Sequence, residues 1–326
     1  MNATAERKLL YYRLVALWVL CEAMLGGVIH GLRLPVSGLF VGSSAVICIS
    51  LIAYYIPSRT AIIKATIIVA IFKMMLSPQA PPMAYVAVFF QGFAGEIIFY
   101  NRRIYKLACY LFAIIALVES ALQRILVSII VYGIEFWKAI DTFLSNLTNN
   151  STSYSLYLGT GYILIHIVAG LIVGYICSRL PMQIENINVV SVNNKRSSLI
   201  QPKHKGKTKK VLFVIWIVLF ALYLQSEFKI GEPLLSSHIS IRIITRSVLI
   251  LLAWYFVISP VLIKFIKNWL SKKQYKWKDD IDAIVALLPS IQSTVQQCWQ
   301  STAHLTTLKR MKRSIKLIAA NIIKPA

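Results

Sequence analysis

The sequence predicts an all-α fold: a polytopic helical membrane protein of about eight transmembrane helices, with N- and C-termini cytoplasmic and amphipathic C-terminal helices. Three observations predict it. Of 326 residues, 57% are hydrophobic and 14% charged, against roughly 25% charged in soluble domains. Apolar runs follow one another with hardly a polar interval long enough for a soluble domain until the basic segment 195–210. Lysine and arginine gather in alternate connecting loops, as they do on the cytoplasmic side of a bilayer.

A bilayer has no water for backbone groups, so each apolar run must close its own hydrogen bonds as a helix. With about 20 residues needed per crossing, the runs fall at 9–32, 36–56, 60–76, 82–100, 104–127, 155–180, 211–226 and 244–266. The third and seventh are short, and the fifth pattern continues to Tyr132. The first run follows Arg7 and Lys8, is long, and lacks a small-residue cleavage site, so it reads as a retained span. Between the spans, one side holds Arg7, Lys8, Arg13, Arg59, Arg102, Arg103 and Lys106, then the run from Arg179 to Lys210, then Lys264 to Lys278. The opposite side holds Arg33, Lys138, Lys229 and Arg242. This asymmetry places both termini in the cytoplasm; the expected location is the cell inner (cytoplasmic) membrane.

Three segments do not span. Ile134, Trp137, Ile140, Phe143, Leu144 and Leu147 recur at helical spacing, so this outer segment is expected to lie along the interface. A polar Ser/Thr/Asn-rich loop is expected over 146–153, with glycosylation-like triplets at Asn146 and Asn150. Residues 279–326 carry two amphipathic stripes: Ile281, Ile284, Val285, Leu288, Ile291, Val295 and Cys298, then Leu305, Leu308, Met311, Ile315, Ile318 and Ile322, with lysine and arginine beside the second. Both are expected as cytoplasmic helices on the membrane surface or against a partner. The chain thus divides into a six-helix membrane domain (1–180), a basic cytoplasmic linker (181–210), two transmembrane helices (211–270) and basic amphipathic helices (271–326).

The formal net charge is +23, from 35 Lys and Arg against 12 Asp and Glu. Basic residues at membrane edges fit retention in the cytoplasm and attraction to anionic lipids. They lack the interleaved aromatic platforms of a nucleic-acid interface, so no nucleic acid is expected. The five cysteines stand singly, giving neither a disulfide framework nor a metal site. No HExxH, GxSxG or clustered Asp motif occurs. Gln201–Thr208 ends like a phosphate loop but has Gln201 where glycine is required and no strand before it. No enzymatic activity and no cofactor are expected, and any nucleotide-driven step falls to a separate ATPase chain.

Ionisable groups at bilayer depth cost about 2.5–3.5 kcal/mol each on insertion scales, which makes them candidates for function. Glu22 and Glu119 fall near the middle of spans one and five; His30, Arg33, Lys73 and Arg124 fall towards the outer side; Gln91 and His166 fall near mid-depth. Together they are candidate lining for an outward-facing polar cavity that binds a small-molecule substrate. Each also has a structural reading. Lys73 has the reach to snorkel to the outer interface. Glu119 and Arg124 are five apart, too far round one helix to pair well, and His166 reads equally as a packing histidine. Lys64 and Glu96 sit near cytoplasmic ends and are expected to snorkel, Glu96 towards Arg102 and Arg103. Mid-span Glu22 has no such escape. The prolines of 77–82 make a rigid connector, and Gly170 and Gly174 form a GxxxG that lets helix backbones approach closely.

Residues 33–42 (Arg33-Leu-Pro-Val-Ser-Gly-Leu-Phe-Val-Gly42) and 84–96 (Ala84 to Glu96), set among six helices with an interfacial segment before the sixth, resemble the S components of energy-coupling-factor vitamin transporters. The resemblance covers 9–180. Arg242-Ile-Ile-Thr-Arg246 and the stretch to Pro260, followed by basic helices, resemble part of a T component. That family implies capture of a vitamin-like molecule from outside and toppling of the S unit, driven through T-component coupling helices by cytoplasmic ABC-type ATPase subunits. It implies Ala23 and Gly27 as part of a small moving face, and Arg242 and Arg246 in the coupling region. Two other classes compete: a membrane scaffold or assembly factor docking through its basic tail, and an ion-coupled carrier using Glu22 and Glu119.

Overall fold

The computed structural model describes residues 3–25, 37–77, 82–148, 153–185, 239–258 and 277–324, with isolated positions at 187, 217, 260–261, 264–265 and 268–269. The expected seventh span (211–226), most of the basic linker, the first outer turn (26–36) and the core of the proline connector (78–81) lie outside the described residues. The described residues are 92% helical and contain no strand.

In chain order the helices are α1 (Ala3–Val19), continued by a π-helical turn Leu20–Leu25, α2 (Ser37–Tyr55), α3 (Ala61–Leu76), α4 (Pro82–Ile98), a 3-10 turn (Arg102–Ile104), α5 (Tyr105–Tyr132), α6 (Ile134–Thr148), α7 (Tyr154–Glu185), α8 (Ile239–Ala253) with a π-helical turn Trp254–Ile258, α9 (Lys278–Ser301) and α10 (Thr307–Ile323). Three stretches are long and apolar enough to cross a membrane: Gly38–Tyr55, Arg102–Tyr132 and Tyr154–Glu185. Met83–Ile98 and Thr245–Ile258 are apolar but shorter. A protein with three such helices is a helical membrane protein. At 1.5 Å per residue the 31 residues of Arg102–Tyr132 run roughly 45 Å, longer than the ~30 Å hydrocarbon core.

Two compact units divide the chain. The first comprises residues 1–120, 166–200 and 267–326. Its core is built from Trp18 on α1, Ile49 and Ile52 on α2, Ile68, Ile71 and Phe72 on α3, and Phe112 and Leu117 on α5, all fully buried. Small residues set the helix spacing. A Cβ on Gly170 or Gly174 of α7 would lie 2.8 Å from Cα of Ile114 or Tyr110 on α5, so the GxxxG face is where the two backbones touch. A Cβ on Gly92 of α4 would run into the side chain of Thr66 on α3. The long face of α5 and α7 turns Leu107, Leu111, Ile115, Leu171 and Ile172 outward, as lipid-facing helices do.

Helix α7 runs to Glu185 through Pro181, five residues beyond the expected end of the sixth span. Proline donates no hydrogen bond to the carbonyl four residues back, which is that of Cys177. The Tyr105 hydroxyl lies 3.5 Å from this carbonyl and donates to the Ser50 carbonyl at 3.1 Å, so one side chain ties α2, α5 and α7. At the other end of the chain, α9 and α10 pack against each other and on α1, burying Ile281, Ile284, Leu288 and Ile291 from one stripe and Leu317, Ala320 and Ile322 from the other helix.

The second unit comprises residues 121–165 and 201–266. Within it, α6 occupies the segment expected at the interface. Asp141 accepts from the Ser155 backbone N–H at 2.6 Å and the Ser155 hydroxyl at 2.7 Å, so a carboxylate caps the first turn of α7 where the helix dipole favours negative charge. The polar loop expected from 146 begins later, because Asn146–Thr148 complete the last turn of α6.

Candidate functional site: a buried carboxylate–ammonium pair

Glu22 lies in the π-helical turn Leu20–Leu25. Such a turn inserts one extra residue, shifts the side chains that follow, and is frequent at functional positions. Lys73 lies in the last turn of α3. The structure brings these two together: Lys73 Nζ donates to Glu22 Oε1 at 2.5 Å. Both are almost wholly buried, Glu22 4% and Lys73 3% exposed. Neither sequence reading of Lys73, cavity lining or snorkelling, named Glu22 as its partner. The ammonium turns inward rather than snorkelling out.

Two features of α4 complete the lysine's surroundings. Its Nζ donates a longer bond to the Ala84 carbonyl at 3.3 Å, in the first turn of α4. It also stands 6.0 Å from the ring centroid of Tyr85, within reach of a cation–π attraction. On the acid, Oε2 is buried and has no hydrogen-bond partner among the described residues. An ionised carboxylate offers about four acceptor positions, so Glu22 keeps acceptor capacity beyond its bond to Lys73. Two charges taken out of water cost several kcal/mol each, and only good geometry and further hydrogen bonds repay it. The lysine is the better satisfied partner; the glutamate holds the unused valence.

Gln91 is buried on α4, and its Nε2 would lie 3.6 Å from a Cβ on Gly42 of α2; glycine there leaves the amide its space. His166, on α7, is 1% exposed. Glu119, on α5, is partly buried and its Oε2 lacks a hydrogen-bond partner among the described residues. Of the eight candidate residues, the structure brings Glu22 and Lys73 into direct contact. Arg124 is exposed and belongs to the second unit. His30, Arg33 and Gly27, together with the side chains of Ala23 and Arg242, lie outside the described residues. Arg246 is half-buried on α8, in the second unit. Tyr85 and the Ala84 carbonyl were not among the sequence candidates. Their only signal is proximity to the proline connector, which opens α4 beside the end of α3.

Glu96 departs from expectation. Its carboxylate does not reach Arg102 or Arg103; it accepts from the backbone N–H of Thr60 at 2.8 Å and of Ile63 at 3.4 Å. The first amides of α3 have no partners within the helix, and a carboxylate satisfies them best. Arg102 instead donates to the Ile56 carbonyl at 2.9 Å, beyond the end of α2.

A second ion pair sits at the cytoplasmic-side expectation for α1 and α9. Asp280 accepts from Lys64 Nζ at 2.8 Å and from the Tyr12 hydroxyl at 2.6 Å. Partial burial alone would raise the Asp280 carboxyl, but the Lys64 and Tyr12 hydrogen bonds and the Lys64 and Lys8 charges outweigh it and hold it below its usual range.

Among the described residues, no cluster of three or more His, Cys, Asp or Glu is placed to hold a metal. Comparison with family models, curated proteins and solved structures finds no match to this chain.

Proposed function

We propose that this protein is a multi-pass membrane transport component that captures a small molecule through the Glu22–Lys73 pair and relies on a separate ATPase for energy. The observation that carries the reading is the buried pair itself. A structural ion pair inside an apolar bundle is often no more stabilising than well-packed hydrophobes, whereas a ligand bearing both charges has a use for a bare carboxylate oxygen beside a lysine. The π-helical turn that carries Glu22 supports it, since such turns are frequent at functional positions. The S-component resemblance supports a vitamin-like substrate, with T-type membrane and ABC-type ATPase subunits as partners in the inner membrane.

The test is mass spectrometry of small molecules retained by the detergent-purified protein, compared with Glu22→Gln/Lys73→Met. Retention by the parent and loss from a folded double variant is the expected result; equal retention, or none by either, overturns the reading. Bulky replacement of Ala23 and Gly27 should abolish uptake while leaving binding intact if the toppling motion applies.

One observation favours a second reading, a membrane scaffold. Helices α9 and α10 are pinned to the membrane domain while Lys309, Lys312 and Arg313 of α10 remain exposed, a basic face suited to docking. Under that reading no small molecule is retained and no substrate crosses.

A further inference from the structure

Between the cytoplasmic-side ends of α5 and α7 lies a cleft of about 490 Å³ lined by Lys106, Tyr110, Tyr175, Ser178, Arg179 and Gln183, with Met182 at its edge. A smaller cleft shares Tyr175, Arg179 and Gln183 and extends to Lys312, Ile315 and Lys316 of α10. Three helices therefore bring four cations to one place. Among the described residues, no carboxylate lines either cleft. Cations gathered without an anion repel one another. Lys316 registers this: burial, then the neighbouring charges of Lys312 and Arg313, hold its amine below the usual range. Arg179 is held in position, its guanidinium 4.6 Å from the Tyr175 ring centroid.

The apolar surroundings select the kind of anion. Leu171 and Tyr175 precede Arg179 by eight and four residues, so they stand on one face of α7, and both are exposed. Leu107 and Leu111 of α5 are exposed beside Lys106. The basic cleft thus sits at one end of an outward apolar face, the arrangement needed by a molecule with an anionic head and acyl tails.

We propose that this cleft is a binding site for the phosphate headgroup of an anionic phospholipid, held by Lys106, Arg179, Lys312 and Lys316 with its acyl chains along Leu111 and Leu171. The site is independent of the transport reading. Because α7 and α10 both contribute, lipid bound here would tether the C-terminal helices to the membrane domain.

The test uses the full chain in dodecyl maltoside, titrated in turn with phosphatidylglycerol, phosphatidylcholine and inorganic phosphate, and read by native mass spectrometry and thermal unfolding. Phosphatidylglycerol should bind and raise Tm, and phosphatidylcholine should do so far less. Lys106→Gln/Arg179→Gln/Lys316→Gln should weaken phosphatidylglycerol binding roughly 100-fold, at about 1 kcal/mol per cation near a membrane surface. A control of equal charge loss, Arg103→Gln/Lys138→Gln/Lys309→Gln, should bind as the parent does. Equal response to the two lipids, or equal loss in both triple variants, overturns the proposal. A Tm rise with inorganic phosphate matching that with phosphatidylglycerol overturns the lipid assignment. Should the first triple variant not fold, the contrast between the two lipids on the parent protein still decides.

Discussion

The two ion pairs of the first unit use the same chemistry in different solvents. Glu22–Lys73 is closed off, with both side chains 4% exposed, whereas Lys64–Asp280 leaves the lysine 36% exposed. The outer pair works as a strap. Asp280 also takes the Tyr12 hydroxyl and lies in the first turn of α9, where the helix dipole favours an acid, so it fastens the C-terminal helices to α1 and α3. The inner pair joins the π-helical turn after α1 to α3, and those elements already pack directly against each other. A costly pair with no evident structural duty is the better candidate for a ligand.

The largest expected effect belongs to the inner pair. Glu22→Gln or Lys73→Met alone leaves one buried charge without its partner and should destabilise by about 3–5 kcal/mol, read as lowered Tm in detergent or nanodiscs. Next come the helix contacts. Gly170→Leu or Gly174→Leu puts a side chain against backbone that has nowhere to move, and each should cost about 1–3 kcal/mol. Tyr105→Phe should cost about 1 kcal/mol by removing the hydroxyl shared between Ser50 and Cys177. If it costs nothing, the bond to the Ser50 carbonyl does not stabilise the fold.

The smallest effect is the strap. Asp280→Asn should cost at most about 1 kcal/mol, because water screens Lys64. It also has a pH signature. The folded carboxyl titrates lower than in the unfolded chain, so its contribution is full above about pH 4, the ordinary Asp value, and fades as pH falls through the lowered folded value. The parent–variant difference should therefore be flat from neutrality to about pH 4 and shrink below. A difference that grows on acidification contradicts the assignment.

What could be read from residue order was whatever depends on local periodicity. Apolar length marked α2, α5 and α7, which are long and apolar enough to cross a membrane, and the periodicity marked α9 and α10 as helices, but it misplaced part of their faces: Val285 and Met311 are exposed, and α10 turns Ser314, Leu317 and Asn321 inward. What could not be read was pairing between helices. Glu22 and Lys73 are 51 residues apart, and Tyr12 and Asp280 are 268 apart; no periodicity encodes which face meets which. The π-helical turn shifts the register at Glu22, which a regular helical wheel misplaces. Glu96 was legible as an acid near a helix end, but the amides it caps belong to a different helix. Pro181 reads as a stop signal, yet α7 continues through it to Glu185, with the Tyr105 hydroxyl 3.5 Å from the Cys177 carbonyl that the proline leaves without a helical donor.

The central claim is that Glu22 and Lys73 are coupled charges inside the helical bundle, and a double-mutant cycle on unfolding measures that coupling directly. Glu22→Gln/Lys73→Met should recover most of the loss seen in either single variant, giving a coupling of roughly 3 kcal/mol. Single variants that cost little, with losses that simply add in the double, would mean that the two side chains do not meet.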